Sequence, residues 1–155
     1  GVGATDDFVE VTWNAVGAQS VSVSYTDGNG CTAGAPTSFP VIVNPEPTPL
    51  LFGPNTACEG TTGNVYTTDA GMSNYTWVVS AGGTITNSGG ATDNTIEITW
   101  ITAGTESVSV NYTDASGCSA AIPTSVNVNV IAAPIIEAGA DAVQVFDLGA
   151  RVEHV

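Results

Sequence analysis

Carboxylates carry almost all the chemistry that this sequence can offer. It holds 15 Asp and Glu against a single Lys or Arg, Arg151, and its formal net charge is -14. Carboxylates grouped with amide, hydroxyl and carbonyl oxygens can ligate calcium, which takes roughly six to eight oxygens. Two stretches have that make-up. TDGNGC (26–31) carries Asp27 and Asn29, and TDASGC (113–118) carries Asp114 and Ser116. Asp27, Asn29 and Asp114 are therefore the candidate metal ligands. No cofactor is expected, calcium being the one that the sequence admits. An acidic residue followed closely by Gly is also ordinary hairpin-turn chemistry, and the turn is the favoured reading. Asp6, Asp7 and Asp93 precede Trp-containing segments, where they can cap a loop or share a cation at a junction.

Catalysis lacks parts. The one histidine, His154, lies in the terminal tail. A nucleophile–histidine–carboxylate set is therefore not expected, and no His/Cys spacing suits a metal. Glu10, Glu97 and Glu106 fall opposite apolar positions, with no base in register. Trp13, Trp77 and Trp100 are in phase with Ile and Val, which reads as core rather than as a sugar platform. Asn74 and Asn111 open Asn-Tyr-Thr sequons that fall inside strand patterns. The chain reads as non-enzymatic.

Charge excludes further classes. Phosphate backbones demand clustered Lys and Arg, so nucleic acid is not a partner. An anionic membrane surface is disfavoured on the same ground. No apolar run is long enough to span a bilayer. The start, GVGATDDF, is no signal peptide, although an exported protein would have lost one. The acidic balance suits solubility and self-repulsion along an exposed fibre.

These residues sit in a pattern of short strands. Only 10% of residues are charged, against a typical ~25%. Polarity comes from Thr, Ser, Asn and Gly, which suits strands better than helices. TIEITW (95–100), SVSVNYT (107–113), SVNVNV (125–130) and YTWVVS (75–80) alternate with period two. VYTT (65–68) and GTIT (83–86) read as shorter strands, and LLF (50–52) as the first. AGG (81–83) and NSGG (87–90) supply turns. About seven strands, each with one apolar face, predict an all-β antiparallel sandwich.

The chain also repeats. Sliding it by 87 positions lays residues 3–43 on residues 90–130 without a gap, with 23 of 41 positions identical. Trp13 meets Trp100, Tyr25 meets Tyr112 and Cys31 meets Cys118. A fixed period signals an array. One complete repeat spans 46–132. Residues 1–45 form the C-terminal half of a repeat, with roughly three strands. Residues 133–155 begin a following repeat or form a terminal strand segment. The seams NPEPTP (44–49) and IAAP (131–134) are proline-marked and stiff.

Within the complete repeat lie Cys58 and Cys118. A disulfide between them would suit an exported sandwich and add about 4 kcal/mol for a ~60-residue loop. Cys31, the equivalent of Cys118, would have its partner in the missing half, or stand as a free or intermolecular thiol.

CEGTTGNVYTT (58–68), NYTWVVSAGGTI (74–85), IEITW (96–100) and VSVNYTDASGC (108–118) follow in a distinctive order. The series resembles the PKD-like and immunoglobulin-like repeats of very large surface proteins exported by the type IX system of gliding bacteria. The resemblance covers about residues 1–132. It implies tandem immunoglobulin-like sandwiches at a cell surface or in the medium, in an adhesin or fibre, with roles in adhesion or gliding. The tail departs from the pattern, having no cysteine where the next Cys-x-Gly would fall. Expected partners are neighbouring repeats or identical subunits of a fibre. Two other classes stay open: a module binding glycan or protein through its loops, and a spacer of a secreted enzyme. A tail that completed a neighbour's half-repeat would give a head-to-tail filament, and trimming of a longer polypeptide would give the same chain.

Overall fold

The computed structural model describes residues 5–135. The expectations for residues 136–155, including Arg151, His154 and most of the following repeat, lie outside them. Among the described residues nine strands form, and no helix. β1 (Gly17–Val23) and β2 (Thr37–Val43) pair as an antiparallel hairpin. The other seven strands build the complete repeat: β3 (Thr56–Cys58), β4 (Asn64–Thr67), β5 (Ser73–Val79), β6 (Gly83–Ser88), β7 (Thr95–Trp100), β8 (Gly104–Thr113) and β9 (Thr124–Ile131).

Period-two alternation decides which face of each strand is buried. β7 reads Thr-Ile-Glu-Ile-Thr-Trp, and Ile96, Ile98 and Trp100 are all buried. β8 buries Val108, Val110 and Tyr112, and β9 buries Val128 and Val130. Tyr75 and Trp77 of β5 and Tyr66 of β4 complete the centre. One sheet has the order β3-β9-β8-β5 and the other β4-β7-β6. The two inner faces share this single core, as in an immunoglobulin-like sandwich.

The sandwich departs from a purely antiparallel one. β3 runs parallel to β9, with Ala57 opposite Val130 and Cys58 opposite Ile131. Leu50–Phe52, expected as the first strand, contributes only a bridge between Phe52 and Thr67. The three-residue β3 takes the edge position instead. A three-residue strand shows too little alternation to stand out in a sequence.

The two hairpins test the repeat directly. Gly17 faces Val43 and Val23 faces Thr37, and their equivalents Gly104 with Val130 and Val110 with Thr124 pair in the same register. The surroundings differ. Val110 and Tyr112 are 1% and 4% exposed, whereas Val23 and Tyr25 are 59% and 72% exposed. Three strands were expected in residues 1–45, and two form. Residues 8–13, FVEVTW, match β7 in pattern yet make no strand. In the complete repeat β7 lies between β4 and β6, and among residues 5–45 no equivalents of those two strands exist to pair with it. A strand without a neighbour has no ladder to hold it.

Packing is tight where β6 meets β7. A Cβ placed on Gly83 would stand 2.6 Å from the Trp100 ring, whereas one on Gly34 would meet nothing within 4 Å. Gly83→Ala is expected to cost about 1–3 kcal/mol by overpacking, and Gly34→Ala to leave thermal stability nearly unchanged. Equal midpoints for the two variants would contradict this packing.

No helix among the described residues is long and apolar enough to cross a membrane.

Candidate functional site: the two ends of the repeat

The carboxylates that hold turns and seams lie at the two ends of the sandwich. The leading end holds the 114–118 hairpin, the 119–123 loop and the start of the repeat. The trailing end holds β3 and the last residues of β9. With no Lys or Arg before position 151, carboxylates have few cations to pair with. They accept hydrogen bonds from backbone amides and hydroxyls instead.

At the leading end Asp114 organises its turn. Its Oδ1 accepts from the amides of Ser116 at 2.8 Å and Cys118 at 2.9 Å. The Asp114 amide donates to the Cys118 carbonyl at 2.8 Å. Gly117 takes φ +81°, which a glycine adopts at no steric cost. Asp27 repeats this pattern atom for atom. Its Oδ1 accepts from Asn29 and Cys31 amides, both at 2.9 Å, and Gly30 also takes φ +81°. These amides, Cys31 first and then Asn29, hold the Asp27 carboxyl below its ordinary range. The candidate ligands therefore divide between two loops: Asp27 with Asn29 in one hairpin, Asp114 with Ser116 in the other. Among the described residues no three His, Cys, Asp or Glu side chains come together in a way that could hold a metal ion.

Asp69 is the residue that sequence reading missed. Its Oδ2 accepts from the Leu50 amide at 2.9 Å and from the Tyr112 hydroxyl at 2.8 Å. Its carbonyl accepts from the Tyr75 hydroxyl at 2.8 Å, and that hydroxyl in turn accepts from the Met72 amide at 3.0 Å. Three segments distant in sequence are thus fastened at one point. Burial, then the bond to Asp69 and its charge, push the Tyr112 phenol up to about 12. Burial also raises the Tyr66 phenol.

The sign of the resulting pH dependence is fixed. An unfolded tyrosine ionises near pH ~10, so the neutral phenol is favoured by the fold. That stabilisation is complete below pH ~10 and is lost as pH rises through about 12. The melting midpoint is expected to be flat from pH 7 to 9 and to fall from about pH 10 upward. A midpoint that held steady through pH ~12 would contradict the Tyr112–Asp69 contact.

Other candidates have structural employment. Asp93 Oδ2 caps the Gly90 amide at 2.8 Å, and its carbonyl accepts from Trp77 Nε1 at 2.9 Å. Glu106 accepts from the Ser80 hydroxyl and from the Gly82 amide. Asn111 donates to the Ala120 carbonyl at 2.8 Å and accepts from the Tyr112 amide. Trp77 and Trp100 are buried, whereas Trp13 is only half-buried. Asn74, exposed, takes φ +51° at an irregularity in β5. A groove of about 280 Å³ runs beside it, lined by Asn74, Thr76, Asn111, Thr113 and Ser119 together with Tyr112 and Pro123.

The expected Cys58–Cys118 bridge does not form; both thiols are free, as is Cys31. Geometry gives the reason. Cys58 lies level with Ile131, at the β8 end where Gly104 faces Val130. Cys118 lies beyond Thr113, at the other end of β8. Nine strand steps at ~3.4 Å separate the two levels, roughly 30 Å, far beyond the ~7 Å that a disulfide tolerates between Cα atoms.

The seams are fastened at both ends. Glu46 Oε2 accepts from the Ala121 amide at 3.2 Å, and the Pro49 carbonyl accepts from the Thr124 hydroxyl at 2.6 Å. At the trailing end the Glu59 amide donates to the Ile131 carbonyl at 2.8 Å, and Glu59 Oε2 accepts from the Ala133 amide at 3.3 Å.

The profile of the family described as a PKD-like domain matches residues 44–128. Among solved structures, the chain is similar to the surface layer protein SbsC. For its domains 1–6 the TM-score is 0.42 at 14% identity, covering 77% of this chain and 20% of that one. For its domains 4–9 the TM-score is 0.40 at 15% identity, covering 85% and 25%. For its domains 4 and 5 the TM-score is 0.36 at 16% identity, covering 61% and 59%. No curated protein matches the sequence.

Proposed function

The chain belongs to the PKD-like domain family, and from that premise we propose that it is a run of structural repeats outside a bacterial cell, in a surface adhesin or fibre. The observation that carries this reading is the seam. Residue 133 is the repeat-equivalent of residue 46. At one seam this position donates its amide to Glu59 of the repeat just ended; at the other its side chain accepts from Ala121 of the repeat just begun. The complete repeat thus holds the chain at both of its ends, Glu46 where it begins and Ala133 where it stops, which leaves each seam little slack. Short seams of this kind favour a stiff array that carries load or reach, and a surplus of 14 negative charges keeps such an array extended and soluble.

Export by the type IX system, and a role in adhesion or gliding, are the finer parts of the proposal. The order of the Cys-x-Gly, Tyr-x-Trp, Gly-Gly and Gly-Cys markers supports them. Calcium also belongs here, with Asp27, Asn29 and Asp114 offered at hairpin tips to a cation shared with an adjoining repeat. A chelator is then expected to lower the melting midpoint; an unchanged midpoint would remove calcium from the account. Recognition of a glycan or a protein is the alternative function, and the groove beside Asn74, where amides and hydroxyls stand beside Tyr112 and Pro123, is where it would act.

An antibody raised against residues 46–132 tests the location. It is expected to label intact producing cells, and brief protease treatment of those cells should abolish the label. Labelling that required lysis would sink the extracellular reading.

A further inference from the structure

Two Asn-x-Thr sequons occur in the sequence, Asn74-Tyr75-Thr76 and Asn111-Tyr112-Thr113, and the fold sets them side by side. They lie on β5 and β8, which pair antiparallel, with Thr76 opposite Asn111 and Ser73 opposite Thr113. The middle residue of each points inward, and Tyr75 and Tyr112 meet in the core with ring centroids 5.9 Å apart. The flanking Asn and Thr residues line the groove of about 280 Å³. The two asparagines are not equivalent. Asn111 is half-buried on β8, which lies between β9 and β5. Both ends of its side-chain amide are engaged: Nδ2 donates to the Ala120 carbonyl and Oδ1 accepts from the Tyr112 amide, each at 2.8 Å. Asn74 is exposed on β5, the edge strand of that sheet. The register slips between Ser73 and Thr76, and there Asn74 takes φ +51°, a left-handed backbone that Asn adopts more readily than most residues. Its Nδ2 makes a long contact, 3.4 Å, to the Thr113 hydroxyl.

We propose that Asn74 carries an N-linked glycan whose first sugar ring lies in this groove. The proposal rests on the extracellular reading above, because a sequon of this type is modified on the surface of exported proteins. The donor is an oligosaccharide joined through pyrophosphate to a lipid. Asn74 Nδ2 bonds to C1 of the first sugar, the bond from C1 to the pyrophosphate breaks, the amide gives up one proton, and the lipid pyrophosphate leaves. Nothing is oxidised or reduced. The groove is slightly smaller than the ~300–1,000 Å³ of sites that enclose a drug-sized ligand, so it suits a single ring. An open groove of that size holds a free sugar weakly. A sugar tethered at Asn74 is present at a roughly millimolar effective concentration, and weak contacts then suffice. Thr76, Thr113 and Ser119 offer it hydroxyls, and Pro123 offers an apolar face. The glycan also covers the β5 edge, where the backbone groups of an edge strand invite pairing with another chain.

The test uses the full chain taken from producing cells. With no Lys or Arg before Arg151, a Glu-specific protease does the cutting. Cleavage after Glu59 and Glu97 isolates Asn74 in peptide 60–97, and cleavage after Glu106 and Glu137 isolates Asn111 in peptide 107–137. In a mass spectrometer the first peptide should exceed its sequence mass by that of a sugar chain, located on Asn74. The second should match its sequence mass. Asn74→Gln and Thr76→Ala should each abolish the increment, whereas Thr76→Ser, which keeps the hydroxyl, should retain it. Hydrogen exchange reads the groove. The backbone amides of residues 119–122 should exchange more slowly in the glycosylated chain than in Asn74→Gln, and equal rates would place the sugar in solvent and overturn the groove seat. A bare peptide 60–97 from cells that the antibody labels intact, or a sugar on Asn111 alone, would overturn the glycan at Asn74 and leave the location standing. A chain reached only after lysis, with Asn74 bare, would remove both.

Discussion

Replacing Trp100 by alanine is expected to destabilise the complete repeat by about 3–5 kcal/mol, while the same change at its repeat-equivalent Trp13 should cost less than ~0.5 kcal/mol. The two tryptophans occupy the same place in the sequence pattern, so the contrast isolates packing from propensity. Trp100 is fully buried at the end of β7. It meets Tyr66 edge-on, with ring centroids 6.4 Å apart at 85°, and its ring covers Gly83. Removing it empties the space between the two sheets, and rigid strands on either side close such a space only in part. Small domains hold a margin of only about 5–15 kcal/mol. The melting midpoint should therefore drop by well over ~10 °C. Trp13 is only half-buried and belongs to no strand. Similar losses for both variants would show that residues 5–45 have a closed core in solution, contrary to the structure.

The second large effect belongs to Asp69. Asp69→Ala removes the acceptor of the Tyr112 hydroxyl and of the Leu50 amide together. Hydrogen bonds to a charged acceptor contribute about 1.5–3 kcal/mol, and a buried donor left without a partner adds a penalty. Tyr112 is 4% exposed, so water reaches its hydroxyl poorly. The expected cost is about 2–3 kcal/mol. Asp69→Asn, which keeps an acceptor oxygen, should lose less than half as much. A cycle pairing Asp69→Ala with Tyr112→Phe should show a coupling of about 1–2 kcal/mol. Chemical denaturation measures each. Additive losses would mean that the two side chains do not act as a unit.

Much of the sandwich was legible because alternation is a local property. Ile96, Ile98 and Trp100 announce a one-sided strand without reference to anything else in the chain. FVEVTW shows the limit. It has the same alternation as β7 and stays out of any sheet, because a strand is made by its neighbours as much as by its own residues. β3 shows the reverse. Three residues with no pattern become a strand because β9 offers a parallel edge.

The site was less legible for a related reason. The turn carboxylates Asp27 and Asp114 could be found, since each acts on amides two and four residues away. Asp69 could not, because its side-chain partners lie 19 and 43 residues distant. The cysteine pairing failed on the same point. Both cysteines of a repeat are visible in the sequence, but their separation depends on which end of β8 each one occupies. Strand direction settles that.

Small-angle X-ray scattering on chains carrying one, two and three copies of residues 46–132 tests the array most directly. β8 has 10 residues, so each repeat is roughly 35 Å long at ~3.4 Å per residue. The maximum dimension is expected to grow by a constant increment of about that length for every copy added. Increments that shrink with copy number, or a particle that folds back on itself, would contradict a stiff end-to-end array.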